Sequence, residues 1–340
     1  MNPKVKRVLK YVASALLTVG FLYIAFRGTD FEKLSASIAG ANYWWMIASM
    51  VCLMVSHIFR SWRWRYLLDP IKPDISLRNL FSGVMIGYFI NNILPRAGEL
   101  VRPYTIGRLE SVSKGAALGT IVVERIMDTV SFLILVVIIP LVYDGPLAQA
   151  FPWLRQAGTL IMLATLLVLG IALALMLRRD WTDSILRKTT GFLSPRFARK
   201  IDKAIHSFLD GFMFVKRPAS FVAILVLSVL VWVLYIMMTY LAFFSFGLQT
   251  QLGFGSAIVV LAISSIGIAI PTPGATGGYH WFAAQTLIRL FHVANPIALS
   301  YATVTHAVGY VCVTVFGLYY FLRDHVNINE AMKNPVEQPG

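Results

Sequence analysis

Three groups of residues in this sequence could handle a charged ligand. The first lies in NNILPRAGELVR, where Asn91, Asn92, Arg96, Glu99 and Arg102 interrupt the apolar run FSGVMIGYFI. A carboxylate or a guanidinium is too costly to bury alone in an apolar medium, so these charges must meet one another or a charged ligand. The second is Glu124, Arg125 and Asp128 in VVERIMD, inside the apolar segment 116–143. A spacing of four puts Glu124 and Asp128 on one helical face, with Arg125 turned about 100° away. Two roles fit: an ion-pair ladder with Arg96, Arg102 or Arg108 that supports the bundle, or a pathway for a proton or a headgroup. The third is PTPGATGGYHW, in which Gly274, Gly277 and Gly278 precede an apolar helix carrying His280 and Arg289. A helix that starts from a glycine-rich turn presents free N–H groups, and these attract anions such as a lipid phosphate. Breaking a helix is the plainer use of the same residues. His57 and His306 stand alone in apolar stretches and are assigned no role.

The elements that position these groups are set by an apolar surplus. Hydrophobic residues make up 57% of the 340 and charged ones 14%, and mean hydropathy is +0.69. That surplus exceeds what a soluble core needs and defines an all-α polytopic membrane protein. Runs such as 158–177 and 219–247 carry no charge and reach the ~20 residues that cross a hydrocarbon layer. The net charge of +14 does not indicate nucleic acid, because the basic residues collect beside apolar segments, where they orient the chain and meet anionic headgroups. Cys52 and Cys312 are the two cysteines, so neither a disulfide framework nor a zinc site is indicated. The basic start of the chain and its apolar stretch to Phe26 read as a retained first helix, since the A-x-A-like site at 39–41 lies too far along for cleavage.

Charge asymmetry supplies the topology. Apolar segments fall at about 8–26, 43–59, 79–94, 116–143, 158–177, 219–247, 253–270, 276–292 and 298–322. Lys4, Lys6, Arg7 and Lys10 put the N-terminus in the cytoplasm, and the 27–42 connection reads as an outer loop. Arg60, Arg63 and Arg65, alternating with Trp62 and Trp64, read as an anchor at the inner interface. The 178–217 loop holds ten basic residues against four aspartates and is expected to be a cytoplasmic, amphipathic segment on the inner leaflet. Segment 79–94 then lies between two cytoplasmic points and must enter and turn back at NNILPRAGE. The prolines and glycines of 271–278 interrupt a second segment, which enters from the outside. The expectation is six full crossings plus two oppositely oriented re-entrant helical hairpins, arranged as inverted repeats, within a single unit at 1–323. Eight spans result if each long arm counts as a crossing, and both counts stay open. A polar cytoplasmic tail, 324–340, follows. Paired Gly/Pro-interrupted segments in two halves point to a transporter-like site between them.

At these motifs the sequence resembles the lysylphosphatidylglycerol synthase transmembrane-region family. The residues that carry the resemblance are NNILPRAGELVRPYTIGR (91–108), VVERIMD (122–128) and PTPGATGGYH (271–280), in order, within a similarity running from about residue 10 to 323. The resemblance implies a flippase-like integral membrane protein. Where the commonest family form places a glutamate after the glycine-rich turn, this chain has Tyr279 and His280. The bifunctional members append an aminoacyl-transferase domain; none follows Leu322 here, so no aminoacyl-lipid synthesis is expected.

No nucleophile constellation, metal-ligand spacing or nucleotide-binding loop is present in the sequence, so no cofactor is expected. The leading expectation is a transporter that moves a phosphate-bearing, anionic or glycosylated lipid between leaflets of the cytoplasmic membrane. Two alternatives stand beside it. One is a membrane enzyme of polyprenyl-phosphate or glycolipid metabolism, and the other is an accessory subunit whose partner is a glycosyltransferase or lipid synthase in the same membrane.

Overall fold

A computed structural model describes residues 3–145, 147–177, 205–206, 210–211 and 218–333. The basic loop expected at 178–217 therefore lies almost wholly outside the described residues, as does the end of the tail. The elements in order are α1 (Pro3–Phe26), α2 (Phe31–Ala39), α3 (Tyr43–Leu68), α4 (Leu77–Ile93), α5 (Gly98–Glu110), α6 (Lys114–Val142), the single turn α7 (Leu147–Ala150) and α8 (Leu154–Leu177). After the loop come α9 (Pro218–Ser245), α10 (Phe254–Ala269), α11 (Gly278–Phe291), α12 (Asn295–Arg323) and α13 (Ile328–Lys333). Among the described residues α3, α6, α9 and α12 are long and apolar enough to cross a membrane, and α1 with α2 adds a fifth candidate as a pair bent by 91°. The fold is thus an all-α, mostly membrane-spanning bundle.

Local chemistry explains the bends. Asp30 turns the chain after α1 by capping α2, its carboxylate accepting from the Glu32 and Lys33 amides at 3.1 Å, so the connection expected to be an outer loop contains a helix. The side-chain oxygen of Asn42 caps α3 through the Trp44 amide at 3.2 Å. α3 then continues to Leu68 without a break, which carries Arg60 and Arg63 into the protein; both are buried, at 3% and 0% exposure. These two arginines are not interfacial anchors. Trp62 does remain exposed, and Arg65 is half-buried.

The segments at 77–110 and 254–291 are helical hairpins built on one plan. In each, the first arm ends on a residue that precedes proline and turns extended: Leu94 (φ −123, ψ 106) before Pro95, and Ile270 (φ −68, ψ 130) before Pro271. The proline ring disfavours helical geometry for the residue before it, so the arm stops there. Left-handed backbone then reverses the chain at Arg96 (φ 61) in the first hairpin, and at Gly274 (φ 56), Ala275 (φ 60) and Gly277 (φ 86) in the second. The arms of each hairpin close on a pair of glycines with the same spacing, Gly87 with Gly98 and Gly267 with Gly278. A Cβ on Gly98 would fall onto the Gly87 carbonyl, and one on Gly267 would lie 2.5 Å from the Gly278 carbonyl oxygen. Only glycine lets the backbones approach this closely. The first hairpin is also braced internally, because the Asn91 side-chain oxygen accepts from the Gly98 amide at 2.8 Å.

Two apolar cores hold the bundle. One joins α10, α11 and α12 with the ends of α3, α6 and α9; the other packs Trp64, Leu67 and Leu68 of α3 against α4, α5 and α6. A smaller cluster docks the C-terminal segment on the first hairpin. Val326 and Ala331 are buried there with Ile86, Phe89, Ile90, Val101 and Tyr104. The Tyr104 hydroxyl donates to Glu330 at 2.7 Å, the Arg108 guanidinium donates to the His325 carbonyl, and the Ser82 hydroxyl donates to the Asp324 carboxylate. The part of the tail that is described is therefore packed, although its composition is polar.

Gly98→Ala should destabilise the protein by about 1–3 kcal/mol, as overpacking does. Gly20→Ala, inside α1 at a position with nothing within 4 Å, should leave the nanodisc-embedded protein at least as stable as wild type, because alanine favours the helix. Equal melting of the two variants would contradict the glycine-closed hairpin.

Candidate functional site

Four helices converge on a buried charge network. α3 supplies Arg60 and Arg63, one turn apart; α5 supplies Arg102; α6 supplies Glu124 and Asp128 on one face; α9 supplies Ser228 and Tyr235. Glu124 is fully buried. Its carboxylate accepts from Arg60 at 2.6 Å and from both terminal nitrogens of Arg102 at 3.2 and 3.0 Å. Asp128 accepts from Arg60 at 2.9 Å and from Arg63 at 2.8 Å. Each α3 arginine also reaches a hydroxyl oxygen on α9, Arg60 to Tyr235 and Arg63 to Ser228, each at 3.0 Å. Trp64 lies beneath the Arg102 guanidinium at 4.3 Å, a cation–π contact, and donates its indole N–H to Thr120 at 2.9 Å. Every charge at the centre thus has an opposite charge within hydrogen-bonding distance, which is the condition for burying ions at all, although the buried Nε–H groups of Arg60, Arg63 and Arg102 have no hydrogen-bond partner among the described residues.

The edge of the network is different. Arg125 pairs with Glu99 at 3.5 Å and approaches Glu124 and Asp128 only at 3.9 Å. The side chains of Arg125 and Glu99 are 40% and 38% exposed, against 0–15% for the Glu124 and Asp128 carboxylates and the arginines bonded to them. Counting Arg60, Arg63, Arg102 and Arg125 against Glu99, Glu124 and Asp128 gives +4 − 3 = +1, so one guanidinium charge is left over. His57 lies one turn from Arg60 on α3, buried against the Tyr88 ring at 4.7 Å, with neither ring nitrogen hydrogen-bonded.

The residues singled out by sequence fall into separate places. Arg96, Glu99 and Arg102 do not form one triad: Arg102 joins Glu124, Glu99 joins Arg125, and Arg96 donates to the Ala269 carbonyl at 2.7 Å. Of the three arginines expected to pair with the α6 carboxylates, Arg102 does so. Arg96 and Arg108 are engaged elsewhere, while Arg60 and Arg63 carry most of the pairing. Arg289 sits away from the network, bonded to Gln285 at 2.8 Å and to the Ala150 carbonyl at 3.3 Å.

Asn92, Arg96 and the second glycine-rich turn meet where the two hairpin tips touch. Besides the Arg96–Ala269 contact, the Asn92 amide donates to Thr314 at 2.8 Å and to the Tyr310 carbonyl at 3.3 Å. Gly274 is wedged against Tyr310 and Asn92, and its carbonyl accepts from His306 Nε2 at 2.8 Å. A carbonyl can only accept, so His306 carries its proton on Nε2 there. His306, Tyr310 and Thr314 form one stripe of α12 at a spacing of four, touching both tips. His306 is therefore not alone: its ring centroid is 4.5 Å from that of His280. His280 in turn caps its own helix, Nδ1 accepting from the Gly277 amide at 3.3 Å. Gly277 lies against α1, where a Cβ would come within 2.8 Å of the Thr18 carbonyl oxygen. Among the described residues no cluster of three or more His, Cys, Asp or Glu could hold a metal ion.

Sequence reasoning missed Arg60 and Arg63 because tryptophans flank them near an expected helix end. The available signal was their i, i+3 spacing, which puts both on one face.

These features define an integral, polytopic α-helical membrane protein with a buried ionic network beside two facing hairpins. Residues 11–317 match the model of the lysylphosphatidylglycerol synthase TM region, and the chain belongs to that family. It is similar to a UPF0104 membrane protein of Methanocaldococcus jannaschii, 25% identical over 327 residues, covering 90% of this chain and 93% of the relative. A UPF0104 membrane protein of Methanothermobacter thermautotrophicus is 29% identical over 230 residues, covering 63% of this chain and 66% of that protein. A second one from the same organism is 22% identical over 331 residues, covering 92% and 91%. No solved structure matches the chain.

Removing one partner of a buried ion pair strands the other charge. Glu124→Gln, which leaves Arg60 and Arg102 without their shared carboxylate, should cost about 3–5 kcal/mol of stability. Lys33→Gln, which removes only the exposed pair with Asp30, should leave the melting temperature unchanged. A Glu124→Gln protein as stable as wild type would contradict the network's structural role.

Proposed function

We propose that this protein moves a phosphate-bearing lipid between the leaflets of the cytoplasmic membrane, by alternating access to a site between its two helical hairpins. The observation that carries the reading is the guanidinium surplus: four arginines face three carboxylates in one network, built in part on the second arm of the first hairpin. A surplus cation in an apolar interior is stable only beside an anion, and arginine presents a planar fork that suits phosphate oxygens. The family's description, that of the membrane region of a lysylphosphatidylglycerol synthase, supports a lipid with such a headgroup.

In this reading the chain makes six full crossings, with the two hairpins entering from opposite sides as inverted repeats and both termini in the cytoplasm. The shared plan of the hairpins supports the repeat: an X-Pro stop, a left-handed reversal and a glycine pair with the same spacing in each. Their tips touch through Arg96 and Asn92, so parting them would open a path on one side while the bases stay closed on the other. Asn91, Gly277 and Gly278 act by holding the hairpin backbones. His280 and Arg289 lie outside the headgroup site.

The test is reconstitution into phosphatidylethanolamine vesicles with fluorescent phosphatidylglycerol confined to one leaflet. Wild type should transfer the probe at a rate well above protein-free vesicles, and Arg125→Gln should lower that rate at least about tenfold, equivalent to 1.4 kcal/mol on the barrier. No transfer by folded wild-type protein would contradict the reading.

A further inference from the structure

The Glu99–Arg125 pair differs from the short contacts that hold the Glu124 and Asp128 carboxylates, and the difference has a mechanical meaning. The carboxylates of Glu124 and Asp128 are each held by at least two arginines at 2.6–3.2 Å. Glu99 approaches one arginine, at 3.5 Å, through an Nε that is buried and makes no hydrogen bond, while the two side chains as a whole stay more than a third exposed. A contact of that length, with no hydrogen bond in it, is weak and open to competition. Glu99 also stands in the first turn of α5, one residue past Gly98, where the arms of the hairpin press together. The positive end of the α5 helix and the Arg125 side chain therefore converge on the place its carboxylate occupies.

We propose that Glu99 is an internal stand-in for the lipid headgroup: its carboxylate neutralises Arg125 in the empty protein and is displaced by an incoming phosphate oxyanion. This rests on the lipid-transport reading above and assigns the parts of that site. Arg125 is the residue that reads the headgroup. Glu124 and Asp128 remain bound to Arg60, Arg63 and Arg102 throughout, because none of those contacts can be given up without stranding a buried charge. The charges balance in the exchange: the singly charged phosphodiester adds −1 to a network of +4 − 3 = +1, so the surplus guanidinium charge is offset while Glu99, still ionised, turns to the exposed edge of the site. Because Glu99 rides on the hairpin and Arg125 on α6, displacement uncouples the hairpin from α6 at this point. Return of the carboxylate expels the headgroup and recouples them. Occupancy of the site is in this way linked to freedom of the hairpin to move.

The link gives Glu99→Gln an unusual signature. Removing the competitor should tighten headgroup binding, and removing the return stroke should slow transfer. Binding is measured by calorimetry on protein in phosphatidylcholine nanodiscs, with dioctanoyl phosphatidylglycerol, dioctanoyl phosphatidylcholine and inorganic phosphate as separate probes. We expect Glu99→Gln to bind dioctanoyl phosphatidylglycerol about three- to tenfold more tightly than wild type while transferring the fluorescent lipid at least tenfold more slowly. Arg125→Gln should lose the binding. A preference for phosphatidylglycerol over inorganic phosphate identifies a lipid as the source of the oxyanion; equal binding of both identifies the free anion and overturns the headgroup assignment. Weaker binding by folded Glu99→Gln overturns the stand-in while leaving lipid transport intact. Absence of binding and of transfer in the wild type overturns the transport reading itself. Glu99→Ala, which also lacks the carboxylate, must behave as Glu99→Gln does, and opposite results from the two variants would overturn the proposal.

Discussion

An ionised carboxylate cannot be left by itself in an apolar interior, and much of this molecule is arranged around that constraint. Glu124, fully buried at the middle of the network, draws Arg60 from α3 and Arg102 from α5. Those cations need further partners, which Asp128, Tyr235 and Trp64 supply. The outcome is a junction where α3, α5, α6 and α9 are tied by directional contacts as well as by packing. In a membrane the apolar side chains of separate helices gain little from leaving lipid for each other, so such polar junctions and close glycine contacts carry much of the specificity of helix placement.

The two hairpins use the second of these devices. Glycine pairs close each hairpin on itself, and the cost is borne at the tips, where proline stops the helix and non-helical backbone must find partners. α12 provides them. His306 holds the second tip through the Gly274 carbonyl and Thr314 holds the first through Asn92, while Arg96 spans the two. The tips thus meet in a small set of polar contacts. These are a few hydrogen bonds, whereas α3, α5 and α6 are joined by buried ion pairs.

Much of this was legible in the sequence. Two apolar segments broken by proline and glycine announced two chain reversals, and the i, i+4 pair of Glu124 and Asp128 announced a buried charged face. The network's other half was not legible. Arg60 and Arg63 resemble a headgroup belt as long as α3 is expected to stop near residue 59, and only its continuation to Leu68 turns them inward. The split of Arg96, Glu99 and Arg102 among three partners could not be read either, because neighbours in sequence point to different helices once a hairpin forms. His280 and His306 stand far apart in the chain and come together only when α11 and α12 pack. The tail reads as polar because its buried residues, Val326 and Ala331, are few and small.

The central claim is that lipid transfer requires the hairpin tips to part. Its most direct test is a reversible bridge between them, made in a background with Cys52 and Cys312 replaced by serine. Arg96→Cys with Ala269→Cys, joined by a short bis-methanethiosulfonate reagent, ties the tips at the contact that Arg96 makes naturally. Transfer of leaflet-labelled lipid in vesicles should stop on bridging and return when the reagent is cleaved by dithiothreitol. Undiminished transfer by the bridged protein would contradict the account.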